Sequence, residues 1–356
     1  MDAIVPVNGT DNQVVMSKRK LSRQQRWRVE KIQAEREKRS HKQLANEDEK
    51  LAAGEYGGEQ PGRVVAHFGR TLEVQDADFK AVRCHLRANL DGLVTGDNVI
   101  WRAGQDGSGV VVARSERNSI LKRPDARGQL KPVAANIDQL LIVFAVEPAP
   151  HANLIDRYLV AAEATGIKPV LVLNKVDLLP EDGGELGLLL ARYQQLGYPV
   201  VKSTTATEAG LTALRQQLAG CTSVFVGQSG VGKSSLIDQL LPDETLRIGA
   251  LSEDSRKGTH TTTTARLYRM QKEGNLQGEL IDSPGIREFG LTHLDEQAVT
   301  EGFIEFHDFL GHCRFRDCRH INEPGCALLE AVEAGKIHPQ RFTSYRRILA
   351  SLDTDR

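Results

Sequence analysis

Gly227-Gln228-Ser229-Gly230-Val231-Gly232-Lys233-Ser234 has the spacing G-x-x-x-x-G-K-S, with Ser235 following. It sits between an apolar run, TSVFV, and an amphipathic one, SSLIDQLL. Glycines there let consecutive backbone N–H groups converge on phosphate oxygens at a helix N-terminus. Lys233 would reach the β- and γ-phosphates, and the Ser234 hydroxyl would ligate Mg²⁺. A phosphate cradle does not choose a base.

Asn174-Lys175-Val176-Asp177 does, at the end of the apolar run KPVLVL. A carboxylate on Asp177 can accept both the ring N–H and the exocyclic amine of guanine, donors that adenine does not offer at those positions. A wrong base leaves that polar group unpaired, which discriminates strongly. Asn174 would contact the other edge of guanine, and the stem of Lys175 would cover the ring. Ser203-Thr204, after YPVVK, could present backbone N–H groups to the guanine carbonyl. Asp282-Ser283-Pro284-Gly285 follows GELI, which places Asp282 to hold Mg²⁺ through water and the Gly285 N–H to sense the γ-phosphate. In the polar run Gly258 to Thr264, Thr261 or Thr262 would complete the Mg²⁺ shell; the alternative is a Thr-rich surface edge.

The elements that must position these groups read as an α/β domain over about 121–290. IDQLLIVFAV and KPVLVL are apolar throughout, as strands buried on both faces are. They alternate with helical patterns such as NLIDRYLVAAEATG, so a mostly parallel sheet is expected. The motif order is inverted relative to ordinary small GTPases: NKVD and the Ser-Thr loop precede the glycine loop, and the Thr run and DSPG come last. Joining the old termini and reopening the chain elsewhere keeps every loop in place, so the reading is a circular permutation.

Cys313, Cys318, His320 and Cys326 lie within fourteen residues. Three thiolates and an imidazole make a closed tetrahedral Zn²⁺ shell of the structural kind. His307 and His312 are near enough in sequence to be rival ligands. Cys84 and Cys221 read as ordinary buried thiols. The segment 291–356 reads as a zinc-binding, mainly helical module with little core of its own, which should unfold without metal.

Upstream, residues 62–120 alternate with period two between Gly, Asp and Asn turns, as a five-stranded OB-type barrel would. Arg63, Arg70, Arg83, Arg87 and Arg102 could give it a basic face. Residues 1–61 read as a flexible basic tail: Ser17 to Lys42 alone hold eleven Lys or Arg against three Glu, a composition suited to a polyanion. Over the whole chain of 356 residues the net charge is −1, and 40% of residues are hydrophobic, enough for a core. The longest apolar run, Leu140 to Val146, is far below the roughly 20 residues of a membrane-spanning helix. With five cysteines and a polar start lacking an apolar signal region, a cytoplasmic, reducing setting without membrane partners is expected.

The combination NKVD, GQSGVGKSS, GTHTTTT and DSPGIREFG, with the cysteine-histidine cluster, resembles the RsgA/YjeQ family of circularly permuted, ribosome-associated GTPases over about Gly62 to Ile348. The resemblance implies Mg²⁺-dependent hydrolysis of GTP to GDP and phosphate by a monomer, in late maturation of the small (30S) ribosomal subunit, stimulated by its rRNA. It implies zinc on Cys313, Cys318, His320 and Cys326. Ile286 stands where Ras-like enzymes carry a water-positioning Gln, and an aliphatic chain cannot orient water, so intrinsic hydrolysis should be slow. His260, before the Thr run, is the candidate replacement; a plain surface histidine is the alternative. Lys233, Thr261, Asp282 and Gly285 complete the expected catalytic set. Two rival readings stay open: an RNA-binding assembly factor that uses GTP only structurally, and a P-loop kinase of a small molecule.

Overall fold

The computed structural model describes residues 56–354, apart from 70, 88–89, 91, 126–127, 242–264, 273–274 and 283–293. Strands β1 (Tyr56–His67), β2 (Thr71–Gln75), β3 (Ala81–Leu86), β4 (Asn98–Gly104) and β5 (Gly109–Arg114) form the N-terminal barrel. Their order is β1-β2-β3-β5-β4, and β4 pairs back onto β1, which closes the barrel. One twelve-residue strand serves both partners because β1 bulges, meeting β2 with its second half and β4 with its first. It starts at Tyr56, ahead of the alternation that begins at Gly62. Val64, Leu72, Val74, Cys84 and Val99 pack around Trp101. Two glycines make room for that indole: a Cβ on Gly62 would stand 2.7 Å from Trp101 Cδ1, and one on Gly109 2.7 Å from Cε3.

The stretch from Lys122 to Lys131 is most of a hairpin of β6 (Ile120–Pro124) and β7 (Leu130–Ala135). Asp125 closes its turn, accepting the Gly128 N–H on its carbonyl and the Gln129 N–H on its carboxylate. The hairpin's charged residues hid its two anchors, Leu121 and Ala134, which are buried in the central core.

The α/β domain follows as β8 (Gln139–Ala145), α1 (Ala152–Glu163), β9 (Lys168–Asn174), α2 (Gly184–Gln195), β10 (Val200–Lys202), α3 (Thr212–Leu218), β11 (Thr222–Val226), α4 (Lys233–Leu240), β12 (Arg266–Lys272) and β13 (Asn275–Asp282). The sheet order is β10-β9-β8-β11-β13-β12, parallel except for antiparallel β12. All seven residues of β8 are buried because both faces are covered. Leu140, Ile142 and Phe144 face Ile155 and Leu159 of α1, while Leu141, Val143 and Ala145 face Leu214 of α3 and Leu236 of α4. Beyond β12 the sheet continues into the barrel through the pair Ala66–Arg266.

Helices α5 (Glu296–Glu301), α6 (Ala327–Glu333) and α7 (Pro339–Thr354) complete the described elements. The expectation of a C-terminal module short of core needs correction. Val299, Phe303, Phe306, Tyr345 and Ile348 belong to the same buried cluster as Ile155 and Leu159 of α1. Phe303 and Phe306 stack at 5.0 Å, and Tyr345 meets both edge-on. The module borrows its core from the α/β domain, which composition of the segment alone could not reveal.

Candidate functional site

Parallel strands end on one side, so the loops after β10, β9, β8, β11 and β13 share the carboxyl edge of the sheet. The chain runs β8-β9-β10 outward, then returns to β11 on the other side of β8. That reversal opens a crevice at the β8–β11 boundary, the place where open α/β sheets take ligands. The glycine loop leaves β11 directly into it.

Gly227 has φ 141°, and a Cβ there would stand 2.1 Å from the Val143 carbonyl oxygen; only glycine fits. Val231 is buried, whereas Gln228, Ser229 and Gly230 are exposed. Lys233 opens α4 with 8% exposure, and its Nζ donates to the carbonyls of Gly227 (2.6 Å) and Gln228 (2.5 Å). Ser234 and Ser235 are exposed in the first turn of that helix. Asp282, half-buried, ends β13, whose Ile281 pairs with Val224 of β11. Asp282 therefore ends the strand beside the one that leads through the glycine loop to Lys233 and Ser234.

The NKVD loop grips the glycine loop directly. Asn174, 2% exposed, donates from Nδ2 to the Val231 carbonyl at 2.9 Å. Lys175, in the left-handed region at φ 59°, donates from Nζ to the carbonyls of Gly230 (3.0 Å) and Glu147 (2.6 Å). Its stem thus crosses between the two loops. A Cβ on Gly232 would meet Asn174 Nδ2 at 2.5 Å, so the approach depends on that glycine. Asn174 is engaged inside the protein rather than offered to solvent. Val176 and Asp177 lie in a short 3-10 turn, with the Asp177 carboxylate exposed.

Ser203 and Thr204 differ from expectation. Their backbone N–H groups are already used: Ser203 donates to the Leu173 carbonyl (2.8 Å), continuing the β9–β10 ladder one residue past β10, and Thr204 donates to the Gly210 carbonyl (3.2 Å) in the turn that follows. Their hydroxyls act instead: Ser203 donates to Asn174 Oδ1 at 3.3 Å, and Thr204 donates to Asp177 Oδ1. Both hydroxyls hold the side chains of Asn174 and Asp177 in place. His260, Thr261, Thr262, Gly285 and Ile286 lie outside the described residues.

Cys313, Cys318, His320 and Cys326 converge: their ligand atoms all lie within 4.8 Å of one another. Cys313 Sγ is 3.9 Å from Cys326 Sγ and 3.6 Å from His320 Nδ1, which is 3.3 Å from Cys326 Sγ. A tetrahedral shell with bonds of about 2.3 Å to sulfur spaces its sulfurs roughly 3.8 Å apart, so the cluster has the right size to hold a metal ion. Burial lowers the His320 imidazole, which favours its neutral, ligating form, whereas burial pushes the Cys318 thiol up to about 12, so a metal would have to draw the proton from that sulfur. His307 is turned away onto the Glu301 carbonyl at 2.7 Å, and neither it nor His312 belongs to the cluster. Cys84 is buried, while Cys221 is only half-buried.

Sequence reasoning missed a charged clip. Arg341 of α7, 4% exposed, donates to Asp156 of α1 (2.6 Å) and through two nitrogens to Glu305 (2.6 and 2.9 Å). Tyr193 of α2 donates to the same Asp156 oxygen at 2.6 Å. Burial opposes the guanidinium charge, but the bonds to Glu305 and the charge of Asp156 more than offset it and hold it above the usual arginine range. Asp156 lies on the buried face of α1, beside Ile155 and Leu159, where a leucine would be unremarkable; that anomaly was the available signal. The basic face imagined for the barrel also dissolves in part. Arg63 turns inward to Glu279 of β13 (3.0 Å), and Arg102 pairs with Glu59 (2.8 Å).

A glycine phosphate loop preceded in the chain by the base loop that grips it, between a barrel and a Cys/His module, defines a circularly permuted GTPase. Residues 114–292 match the RsgA GTPase family. A small ribosomal subunit biogenesis GTPase RsgA of Chromohalobacter salexigens is 69% identical over 343 residues, covering 95% of this chain and all of that protein. The RsgA of Azotobacter vinelandii is 59% identical, covering 95% and 98%. Among solved structures, YjeQ of Thermotoga maritima is 31% identical with a TM-score of 0.65, covering 83% of this chain and 99% of that one. YloQ, described as a circularly permuted GTPase, is 27% identical with a TM-score of 0.64, covering 84% and 96%. The chain belongs to the RsgA GTPase family.

Proposed function

We propose that this protein hydrolyses GTP to GDP and phosphate during late maturation of the small ribosomal subunit, on which it binds rRNA and by which its hydrolysis is stimulated. The observation that carries the reading is the contact of Asn174 and Lys175 with the carbonyls of Val231 and Gly230, which joins base recognition to the phosphate cradle on one sheet edge. Asp177, oriented by Thr204, accepts the two guanine donors. The amides of the loop Gly227 to Gly232 hold the phosphates, with Lys233 on the β- and γ-phosphates. Ser234, in the first turn of α4 after β11, and Asp282, at the end of the neighbouring β13, supply hard oxygen donors suited to Mg²⁺, with Thr261 or Thr262 as a further donor. Bound there, Mg²⁺ neutralises charge developing on the phosphate oxygens. His260 orients the attacking water and the Gly285 amide meets the γ-phosphate. Catalysis here is positioning and electrostatics, with no covalent enzyme intermediate.

Cys313, Cys318, His320 and Cys326 hold one structural Zn²⁺ on the argument of donor type and spacing. Among the described residues no helix is long and apolar enough to cross a membrane.

The test is the GTPase rate of the purified full chain with and without small ribosomal subunits, with ATP as competitor. A slow basal rate that rises with subunits and resists ATP supports the reading. A rate unchanged by subunits removes the ribosomal part, and equal competition by ATP removes guanine selectivity.

A further inference from the structure

Four residues in the barrel's β3–β4 connection, Val94-Thr95-Gly96-Asp97, are buried although none lies on a strand. Thr95 is 1% exposed and Asp97 0%. Neither polar group serves the barrel core around Trp101 or any binding role described above. A buried hydroxyl and carboxylate at that depth need a reason.

The contacts supply one. The Asp97 carboxylate accepts the Val94 N–H at 2.8 Å and two nitrogens of Arg117 at 2.6 and 2.8 Å, which makes the turn rigid. Asn136 donates to the Gly96 carbonyl at 2.8 Å. Gly96, at φ 90°, presses so close to the sheet that a Cβ would stand 2.1 Å from the Ala135 carbonyl oxygen and 3.1 Å from Ile281 of β13. From this braced turn the Thr95 hydroxyl donates to the carbonyl of Ala265 at 2.8 Å. Ala265 is the residue after the run Thr261 to Thr264 and the one before β12.

A second strut runs parallel. Arg63 of β1 reaches Glu279 of β13 at 3.0 Å and Thr222 of β11 at 3.0 Å, and Thr222 donates to Glu279 at 2.9 Å. Glu279 lies three residues before Asp282 on the same strand. β12 is also held from the barrel by Arg266 to Glu73, 3.0 Å, and by Arg269 over the Phe79 ring at 4.4 Å. The barrel thus holds, by hydrogen bonds and ion pairs, the two strands that lead out of the Thr run and into DSPG.

We infer that Thr95 is a positioning residue for the subunit-stimulated step of GTP hydrolysis: its hydroxyl, with the Arg63–Glu279 strut, ties the barrel to β12 and β13 and so couples the barrel to Asp282 at the end of β13. The inference rests on the proposed reading of the site as a subunit-stimulated GTPase. Thr95 touches no substrate, so its loss should leave guanine and diphosphate binding intact. It should lower the stimulated step, because the Ala265 carbonyl is then unanchored and no longer moves with the barrel.

The experiment compares Thr95→Val, which keeps shape and loses the donor, with Thr95→Ser, which keeps the donor, and with Glu279→Gln, which removes the charged strut. GTPase rates are measured alone and with purified small subunits, beside GDP affinity and thermal unfolding. Thr95→Val should lower the subunit-stimulated rate by about three- to tenfold, the worth of one buried hydrogen bond, with GDP affinity and basal rate unchanged. Thr95→Ser should retain most of the stimulation, and Glu279→Gln should reduce it as Thr95→Val does. Equal stimulation of Thr95→Val and wild type would overturn the inference, as would equal losses in Thr95→Ser and Thr95→Val. If Thr95→Val does not fold, Glu279→Gln decides alone: full stimulation refutes the coupling. A wild type that subunits fail to stimulate sinks the proposed function instead, a result distinct from these.

Discussion

Arg341 Nη1 stands 2.6 Å from Asp156 Oδ1, both side chains almost fully removed from water, and this contact joins the C-terminal module to the first helix of the α/β domain. The same guanidinium lies 4.5 Å above the Phe303 ring. With Glu305 and Tyr193 it makes one charged group satisfied by three elements. The other Asp156 oxygen, Oδ2, has no hydrogen-bond partner among the described residues, so the clip already runs with a deficit.

Removing the guanidinium should be severe, because it strands two buried carboxylates. Arg341→Met is expected to cost about 3–5 kcal/mol in urea unfolding, whereas simultaneous replacement of Arg341, Asp156 and Glu305 by apolar residues should recover much of it. A single-mutant loss below about 1 kcal/mol would show that the clip is solvated in solution.

Gly232 carries the approach of the base loop to the phosphate loop. Gly232→Ala places a Cβ 2.5 Å from Asn174 Nδ2 at a φ of 91°. Nucleotide affinity, read by fluorescent GDP titration, should fall by about five- to a hundredfold from strain of about 1–3 kcal/mol, while circular dichroism stays unchanged. Unaltered affinity would mean that the two loops do not act as one cradle.

Asp177→Asn converts an acceptor pair into one acceptor and one donor. Loss of two charge-assisted hydrogen bonds at about 1.5 kcal/mol each predicts GTP affinity down by about a hundredfold. The same change suits xanthine, which carries a carbonyl where guanine carries its amine, so xanthosine triphosphate should bind the variant better than GTP does. Thr204→Val, which removes the hydroxyl on that carboxylate, should weaken GTP by a few-fold only.

Metal removal should be local. Chelation, or Cys326→Ala, is expected to loosen the segment from Cys313 to Cys326 while α7 stays docked, because Phe342, Tyr345 and Ile348 are buried against the α/β core. Hydrogen exchange should accelerate in residues 311–326 and stay slow in 340–350. Global loss of protection would show that the metal, rather than the shared core, holds the module.

What the chain order of residues determined by itself was chemistry and local form. The glycine spacing at 227–232, the carboxylate at 177 after an apolar run, and the Cys/His spacing at 313–326 each need only a few neighbouring residues, so they are legible in one dimension. The all-apolar β8 and β9 likewise announce strands covered on both sides. Tertiary structure alone decided which groups meet at long range. The occupied amide of Ser203 depends on how far the β9–β10 ladder runs, that of Thr204 on the turn that returns Gly210 to it, and the inward turn of Arg63 on the seat of the barrel. The Arg341–Asp156 clip spans 185 residues, and no periodicity marks a partner at that distance. A buried charge is stable only where folding delivers its counter-charge, and delivery is a property of packing rather than of sequence neighbourhood.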